Sequence, residues 1–131
     1  MGDVATTKDG FLDGGFFALQ PASGGHRSGV DALLLAAQVP QSAKGRLADL
    51  GSGCGVAGLA VAHRCRDIVV DLVEVDPTMV ELARHTLALA ENQALADRLT
   101  VLQADVMASG KERQKCQLCD NTYDHVIANP H

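Results

Sequence analysis

A glycine-rich segment, Asp49-Leu-Gly-Ser-Gly-Cys-Gly55, is the part of this sequence whose residue types most directly suggest chemistry. Closely spaced glycines let a backbone turn tightly and approach a ligand, and a helix that begins just after them offers free N–H groups to an anion. Glu74 follows Gly53 by 21 residues, and a carboxylate there can accept hydrogen bonds from both hydroxyls of a ribose. The loop and the carboxylate together predict a site for a cofactor that contains adenosine.

The charge beside the loop distinguishes between two such cofactors. Residues 53–58, Gly-Cys-Gly-Val-Ala-Gly, fit the G-x-G-x-x-G fingerprint of NAD-binding folds, but Gly51 already precedes them in the loop. Asp49 stands just before the loop, where its charge would repel a pyrophosphate and attract a cation. S-adenosylmethionine carries an ammonium and a sulfonium and no phosphate, so we predict it as the cofactor, with NAD as the alternative. Its methionine end is expected to be held by Asp49, Gly51, Ser52, Gly53, Cys54 and Gly55.

Asp105 directly follows another predicted strand, over residues 99–104. Its carboxylate can accept a hydrogen bond from an adenine amino group while Val106 packs on the ring. An aspartate at this position is also typical of a residue that begins a loop or caps a turn. Both roles are compatible with the sequence.

Asn129-Pro130 follows the next predicted strand, over residues 123–128. The side-chain carbonyl of the asparagine and a backbone carbonyl of this rigid step can accept hydrogen bonds from one exocyclic –NH2 group, whose lone pair then faces a methyl donor. Catalysis would come mainly from orientation and proximity. Asn-Pro is also a common turn dipeptide, but its place after a strand predicts that Asn129 and Pro130 are the catalytic residues.

The elements that must position these residues alternate between helix and strand. The predicted helices cover residues 30–39, 56–65 and 77–92, the last with Asp76 as its N-cap, and the predicted strands cover 47–50, 68–75, 99–104 and 123–128. Because such alternation produces a parallel sheet with helices on its faces, ligands are expected beyond the carboxyl ends of the strands. Residues 1–46 are predicted to be a lead-in with a short hairpin around residues 16–19 and a helix, and 47–131 to be the cofactor-binding domain.

Composition and charge limit the class of protein further. The 131 residues suit a single domain, and their 11 basic and 16 acidic side chains argue against binding nucleic acid mainly through its phosphates. Three Phe, one Tyr and no Trp exclude a surface of stacked aromatic rings. No segment is apolar enough to span a membrane, and the polar N-terminus lacks the pattern of a secretory signal. The four cysteines do not suggest a disulfide framework, so we expect the reducing environment of the cytoplasm. Cys116 and Cys119 have the spacing of half a zinc site without clear partners, and no metal is predicted.

These motifs together resemble the class I S-adenosylmethionine-dependent methyltransferases. Residues 49–55 are similar to the cofactor loop of that family, and residues 73–77, which include Val75, to its ribose-binding strand end. Residues 103–106 are similar to its adenine-side motif, and 123–130 to the start of the Asn-Pro-Pro-Tyr motif found in enzymes that methylate amino or amide nitrogens. The resemblance implies an α/β, Rossmann-like fold with a parallel sheet and flanking helices, in which Glu74 and Val75 bind the cofactor.

The N-terminal part of the chain resembles one branch of that family, the bacterial tRNA(Val) adenine-N6-methyltransferases, in segments that begin at Phe11, Gln20 and Gly25. The resemblance implies a tRNA substrate, with a protein glutamine, an rRNA guanine or a non-catalytic cofactor-binding role as alternatives. His131 stands where the family continues with Pro-Tyr. We therefore expect the C-terminal strands of the fold to be missing, methyl transfer to be weak or absent, and the exposed sheet edge to favour association.

Overall fold

The computed structural model describes residues 5–22, 29–107 and 122–128. It begins with a hairpin and continues with alternating helices and strands. A 3-10 turn, Ala90–Asn92, links the third helix to the fourth. The elements are β1 (Thr6–Phe11), β2 (Phe16–Pro21), α1 (Val30–Ala37), β3 (Lys44–Leu50), α2 (Val56–Arg64), β4 (Asp67–Glu74), α3 (Pro77–Ala88), α4 (Gln93–Ala96), β5 (Leu99–Gln103) and β6 (His125–Ala128).

The main sheet is parallel, with the strand order β5-β4-β3-β6. The chain runs outward from β3 through β4 to β5 and then returns to β6 on the other side of β3. The strand order therefore reverses at the β3–β6 pair, and in open α/β sheets ligands bind beyond the carboxyl ends of the strands at such a point. Leu50, the last residue of β3, pairs with Val73 of β4 and Ala128 of β6. This confirms the predicted α/β fold with a parallel sheet.

The core lies between one face of this sheet and the helices. The sheet contributes Leu47 of β3 and, at alternate positions of β4, Val70 and Leu72. All three are fully buried, as is Leu59 of α2. Gly58 lets α2 approach the sheet closely, because a Cβ at this position would lie 2.3 Å from Cδ2 of Leu72. Small side chains of α2 therefore bring the N-terminus of the helix close to the ends of the central strands.

The N-terminal hairpin is longer than the short one predicted around residues 16–19. Its two strands pair from Thr6 opposite Pro21 to Phe11 opposite Phe16. Two buried side chains fix β2 to the helical layer. Thr86 Oγ1 accepts a hydrogen bond from the N–H of Leu19 at 2.9 Å, and Asn92 bonds both backbone groups of Phe17, at 2.9 and 2.7 Å. Asn92 was predicted only as the end of a helix, which in fact ends at Ala88.

Other predicted boundaries differ by a few residues. The strand predicted over 47–50 begins at Lys44, since Gly45 and Arg46 also pair with β4. The strand predicted from residue 123 begins at His125 instead, while Tyr123 donates a hydrogen bond from its hydroxyl to Asp71 at 2.6 Å. Asp76 is the N-cap of α3, as predicted, and its Oδ1 accepts from the N–H of Thr78 at 2.9 Å.

One edge of the main sheet is formed by β5, and the other edge is formed by β6, which within the described ranges pairs only with β3. Val126 on this strand is 58% exposed. Association through this edge stays a prediction. Among the helices of the described ranges, none has the length and apolar character needed to cross a membrane.

Candidate cofactor-binding site

Residues 51–55, here called the glycine loop, connect β3 to α2. Gly51, Gly53 and Gly55 have φ angles of 68°, 58° and 101°, in the left-handed region that favours glycine. A Cβ on Gly51 or Gly53 would meet no atom of the described residues within 4 Å. These two glycines are therefore required by the backbone conformation and not by crowding, and the space beside them is open to a ligand.

The amides of the glycine loop are largely used within the protein. Gly51 and Ser52 donate to the carbonyl oxygen of Val73 at 2.9 and 3.0 Å, and Gly55 donates to that of Ser52 at 3.0 Å. Gly53 donates to Glu74 Oε1 at 2.8 Å. A loop that cradles a phosphate needs such N–H groups directed at the ligand. This loop is poorly suited to a pyrophosphate for that reason.

A buried acceptor lies just before the same loop, near the end of β3. Asp49 is 1% exposed, and its Oδ2 accepts from the N–H of Gly58 at 3.0 Å. Its Oδ1 and the Oγ of Ser52 are buried and have no hydrogen-bond partner among residues 5–22, 29–107 and 122–128. An unpartnered carboxylate oxygen in a buried position is a suitable acceptor for a cationic donor such as an ammonium group.

The protonation of Asp49 reflects this burial. Removal from water raises the pKa of Asp49 from its usual 3.8 to about 7; the hydrogen bond from Gly58 opposes the rise and the nearby Glu74 carboxylate adds to it. An adjacent positive charge favours the ionised form of a carboxyl group. A cation at this position would therefore stabilise a charge that the protein alone stabilises weakly.

Glu74 ends β4 with its side chain turned toward the loop. Besides the bond from Gly53, its Oε2 accepts from the N–H groups of Val75 and Asp76 at 3.1 and 3.0 Å. A carboxylate has about four acceptor positions, so one remains on Oε1. One ribose hydroxyl can occupy it directly, and a second requires Glu74 to release one of the three amides.

Apolar side chains are exposed where β4 and β5 end. Val75 is 57% exposed, Val106 38% and Met107 87%. The pairing of Glu74 with Gln103 places these residues after neighbouring strand ends. Asp105 Oδ1 accepts from the N–H of Met107 at 2.8 Å, which is the turn-capping role left open by the sequence. Exposed apolar groups beside polar strand ends suit a flat ring with polar edges. Met107 is one such group that the sequence pattern does not predict.

The predicted catalytic residues Asn129 and Pro130 lie outside the described residues, as do Cys116 and Cys119. The last described residue of β6, Ala128, pairs with Leu50, directly before the glycine loop. Two hydrogen bonds hold the start of the strand: Arg46 N–H donates to Asp124 Oδ2, and Asp124 N–H donates to the Arg46 carbonyl, both at 2.9 Å. The register of β6 thus directs the chain toward the loop.

The sequence model of the methyltransferase small domain matches residues 27–131 of this chain. The chain belongs to the methyltransferase small domain family. The match includes the glycine loop, Glu74 and all of the main sheet, so the family covers the geometry described above.

Curated proteins similar to this methyltransferase small domain include two named tRNA1(Val) (adenine(37)-N6)-methyltransferase. The protein from Erwinia tasmaniensis is 33% identical over 103 residues, which are 78% of this chain and 38% of the relative. The protein from Enterobacter sp. (strain 638) is 30% identical over 124 residues, 94% of this chain and 46% of the relative. The chain therefore spans less than half the length of these relatives.

Solved structures share the fold of the methyltransferase small domain. A predicted O-methyltransferase from Agrobacterium tumefaciens, protein Atu636, is 44% identical with a TM-score of 0.73, over 78% of this chain and 49% of that one. P. horikoshii TYW2 in complex with MeSAdo is 15% identical with a TM-score of 0.66, over 98% of this chain and 52% of that one. These likenesses confirm the Rossmann-like methyltransferase fold expected from the sequence.

The predicted cofactor residues fall into two groups in the structure. The contacts above bring one group together around the loop: Asp49, Ser52, Gly53 and Glu74. The other group lies after the neighbouring ends of β4 and β5 and consists of Val75, Asp105 and Val106. Cys54 is buried and directs its thiol toward Gln20, with Sγ 3.8 Å from Oε1. Gln20 is not among the residues that the sequence pattern assigns to the site. In the part of the chain that is described, no group of three or more His, Cys, Asp or Glu side chains is arranged to hold a metal ion.

Proposed function

We propose that this chain binds S-adenosylmethionine at the glycine loop and forms the cofactor-binding part of a methyltransferase that acts on an exocyclic amino group, adenine N6 of a tRNA. The observation that carries the proposal is Asp49, whose buried Oδ1 has no partner among the described residues. The loop beside it offers acceptors and open space, whereas most of its amides are already bonded. This combination favours a cationic ligand over a dinucleotide.

The chain's own residues divide the cofactor between them in this proposal. Asp49 Oδ1 and Ser52 Oγ accept from the ammonium of the methionine end, which passes over the open sides of Gly51 and Gly53. Glu74 accepts from the ribose at the remaining position of Oε1. S-adenosylmethionine, when bound, supplies an activated methyl group to a nucleophile.

The adenine ring is assigned to the strand ends of β4 and β5. Val75 and Val106 offer exposed apolar surface to the two sides of the ring. Asp105 has one oxygen bonded to the N–H of Met107, and its other oxygen is the acceptor proposed for the adenine amino group. The turn-capping bond then serves to orient the carboxylate for that role.

The target amino group is assigned to Asn129 and Pro130, whose carbonyl oxygens would orient it for in-line attack. The direction of β6 toward the loop supports this placement. The names of two curated relatives support a tRNA adenine. The similar protein from Agrobacterium tumefaciens is described as a predicted O-methyltransferase. A side-chain amide oxygen and a backbone carbonyl oxygen can both accept hydrogen bonds from an –NH2 group. They therefore favour nitrogen over oxygen as the atom that receives the methyl group.

Calorimetric titration with S-adenosylmethionine and, separately, with NADH tests the cofactor assignment. We expect saturable one-site binding of S-adenosylmethionine and weaker or no binding of NADH; tighter binding of NADH would refute the assignment. The substrate is tested with a protein that contains this chain and has the length of the curated relatives. It is given S-adenosylmethionine labelled in the methyl group, with unmodified tRNA and total protein as competing acceptors. Label in tRNA that is lost in Asn129→Ala supports the adenine assignment, and label only in protein contradicts it.

A further inference from the structure

The hairpin contributes a buried polar side chain to the edge of the glycine loop. Gln20, near the end of β2, is 1% exposed, and its Oε1 faces the thiol of Cys54 at 3.8 Å. Cys54 immediately precedes Gly55, the N-cap of α2 with a φ of 101°. A contact at Cys54 therefore acts on the part of the loop where the backbone turns into the helix.

The orientation of the Gln20 amide is fixed by Asp9 of β1. Gln20 Nε2 donates to Asp9 Oδ2 at 2.9 Å, and Thr7 Oγ1 donates to the same oxygen at 2.8 Å. A carboxylate can only accept hydrogen bonds, so the amide nitrogen must face Asp9 and the carbonyl oxygen must face Cys54. The thiol is a weak donor that this oxygen can accept.

The position of the hairpin itself is set by α3 and the turn after it. The side chains of Thr86 and Asn92, both fully buried, bond the backbone of β2 at Leu19 and Phe17. Gln20 follows these anchored residues directly in the same strand. A continuous set of contacts thus runs from α3 through β2 to the glycine loop.

We infer that Gln20 is a positioning residue that holds the glycine loop in its binding conformation through Cys54. The inference rests on the proposed function of that loop, because the benefit of a fixed loop is measured as affinity for the cofactor. The loop amides are also bonded to Val73 and Glu74, so loss of the Gln20 contact loosens the part of the loop around Cys54, which binding must then order. One hydrogen bond of this kind corresponds to about a three- to tenfold change in affinity.

A double-mutant cycle tests the inference with S-adenosylhomocysteine as the titrated probe. The variants are Gln20→Met, which keeps the side-chain volume, Cys54→Ala, and the two combined; Gln93→Ala, at an exposed glutamine, is the control. We expect each single change to raise Kd by about three- to tenfold and the double change to raise it no further than the larger single change. The inference would be overturned if the increase in Kd of the double variant equalled the product of the two single increases. It would also be overturned if Gln20→Met left Kd unchanged.

Hydrogen exchange separates this inference from the proposed function. In the chain without added ligand, Gln20→Met should speed exchange of the amides of residues 51–55 and leave those of the central strand β4 unchanged. If the wild-type chain fails to bind S-adenosylhomocysteine, the proposed function fails, while faster loop exchange would still support the role of Gln20. Equal loop exchange in the variant and the wild type, or faster exchange throughout the core, would refute that role.

Discussion

The side chain of Glu74 accepts a hydrogen bond from the backbone N–H of Gly53 at 2.8 Å, which joins the end of β4 to the middle of the glycine loop. The same carboxylate bonds the amides of Val75 and Asp76. The residue proposed to bind the ribose therefore also maintains the shape of the loop proposed to bind the methionine end. Ligand contact and loop geometry are coupled in one side chain.

Replacing Glu74 by glutamine should weaken S-adenosylhomocysteine binding about tenfold or more, because the amide keeps one acceptor oxygen where the carboxylate has two. Calorimetric titration measures the change. Asp97→Asn, which removes a carboxylate from an exposed position, serves as the control and should leave Kd unchanged. Equal affinity in Glu74→Gln and wild type would contradict the ribose assignment.

The burial of Asp49 predicts how the stability of the unliganded chain changes with pH. Because the pKa of Asp49 is raised to about 7 in the folded chain, the folded state holds a proton that the unfolded state releases near pH 4. The contribution of this residue to the free energy of unfolding therefore falls by up to about 4 kcal/mol as the pH rises from about 4 to about 7. Above about pH 7 it stays at the lower value.

Asp49→Asn should remove this dependence, since asparagine does not titrate and its oxygen can still accept from Gly58. Urea unfolding of both proteins at about pH 4.5 and about pH 8 measures the effect. The variant should gain stability relative to wild type as the pH rises. A constant difference between the two proteins across this range would show that Asp49 does not titrate as described.

Gly58→Ala should destabilise the fold by about 1–3 kcal/mol, the usual cost of overpacking a core. The added methyl group would lie 2.3 Å from Leu72 Cδ2 and 3.1 Å from Asp49 Oδ2. Urea unfolding measures the loss, and Gly29→Ala, where the new Cβ meets no described atom within 4 Å, should change stability by less than about 1 kcal/mol. Similar losses in both variants would indicate a general intolerance of alanine and not close helix–strand packing.

Asn92→Ala should cost about 2–4 kcal/mol, because it leaves the N–H and carbonyl of Phe17 and the carbonyl of Thr86 without a bond that they now make. The measurement is again the free energy of unfolding in urea. Gln93→Ala, the neighbouring exposed amide, should be within about 0.5 kcal/mol of wild type. A loss as small as that of the control would mean that the hairpin docks without Asn92.

The sequence was informative where local patterns carry the signal. Apolar strands predict the parallel sheet, the glycines predict the loop, and Asp76-Pro77 predicts the start of α3, because each depends on neighbours within a few residues. The spacing of Glu74 from the loop also predicts their proximity, since it follows from one β-α-β unit.

The sequence was not informative where a polar side chain is buried by distant partners. Asn92 resembles a helix end, yet it bonds Phe17, which lies 75 residues earlier. Gln20 reaches Cys54 across 34 residues, and no local pattern distinguishes it from an exposed glutamine. Gly45 and Arg46 are untypical of a strand, but pairing with β4 includes them. In each case tertiary contacts outweigh local propensity.

The internal bonding of the loop amides has a consequence for engineering a new ligand preference. Removing the negative charge at Asp49 would take away the repulsion toward a phosphate but would not redirect the amides of the loop, since Gly51, Ser52, Gly53 and Gly55 direct their N–H groups to Val73, Glu74 and Ser52. Conversion to a dinucleotide site would require the backbone path of the loop to be rebuilt together with the end of β4. The choice between ligands is thus encoded in the hydrogen-bond directions of the main chain, beyond the reach of a single substitution.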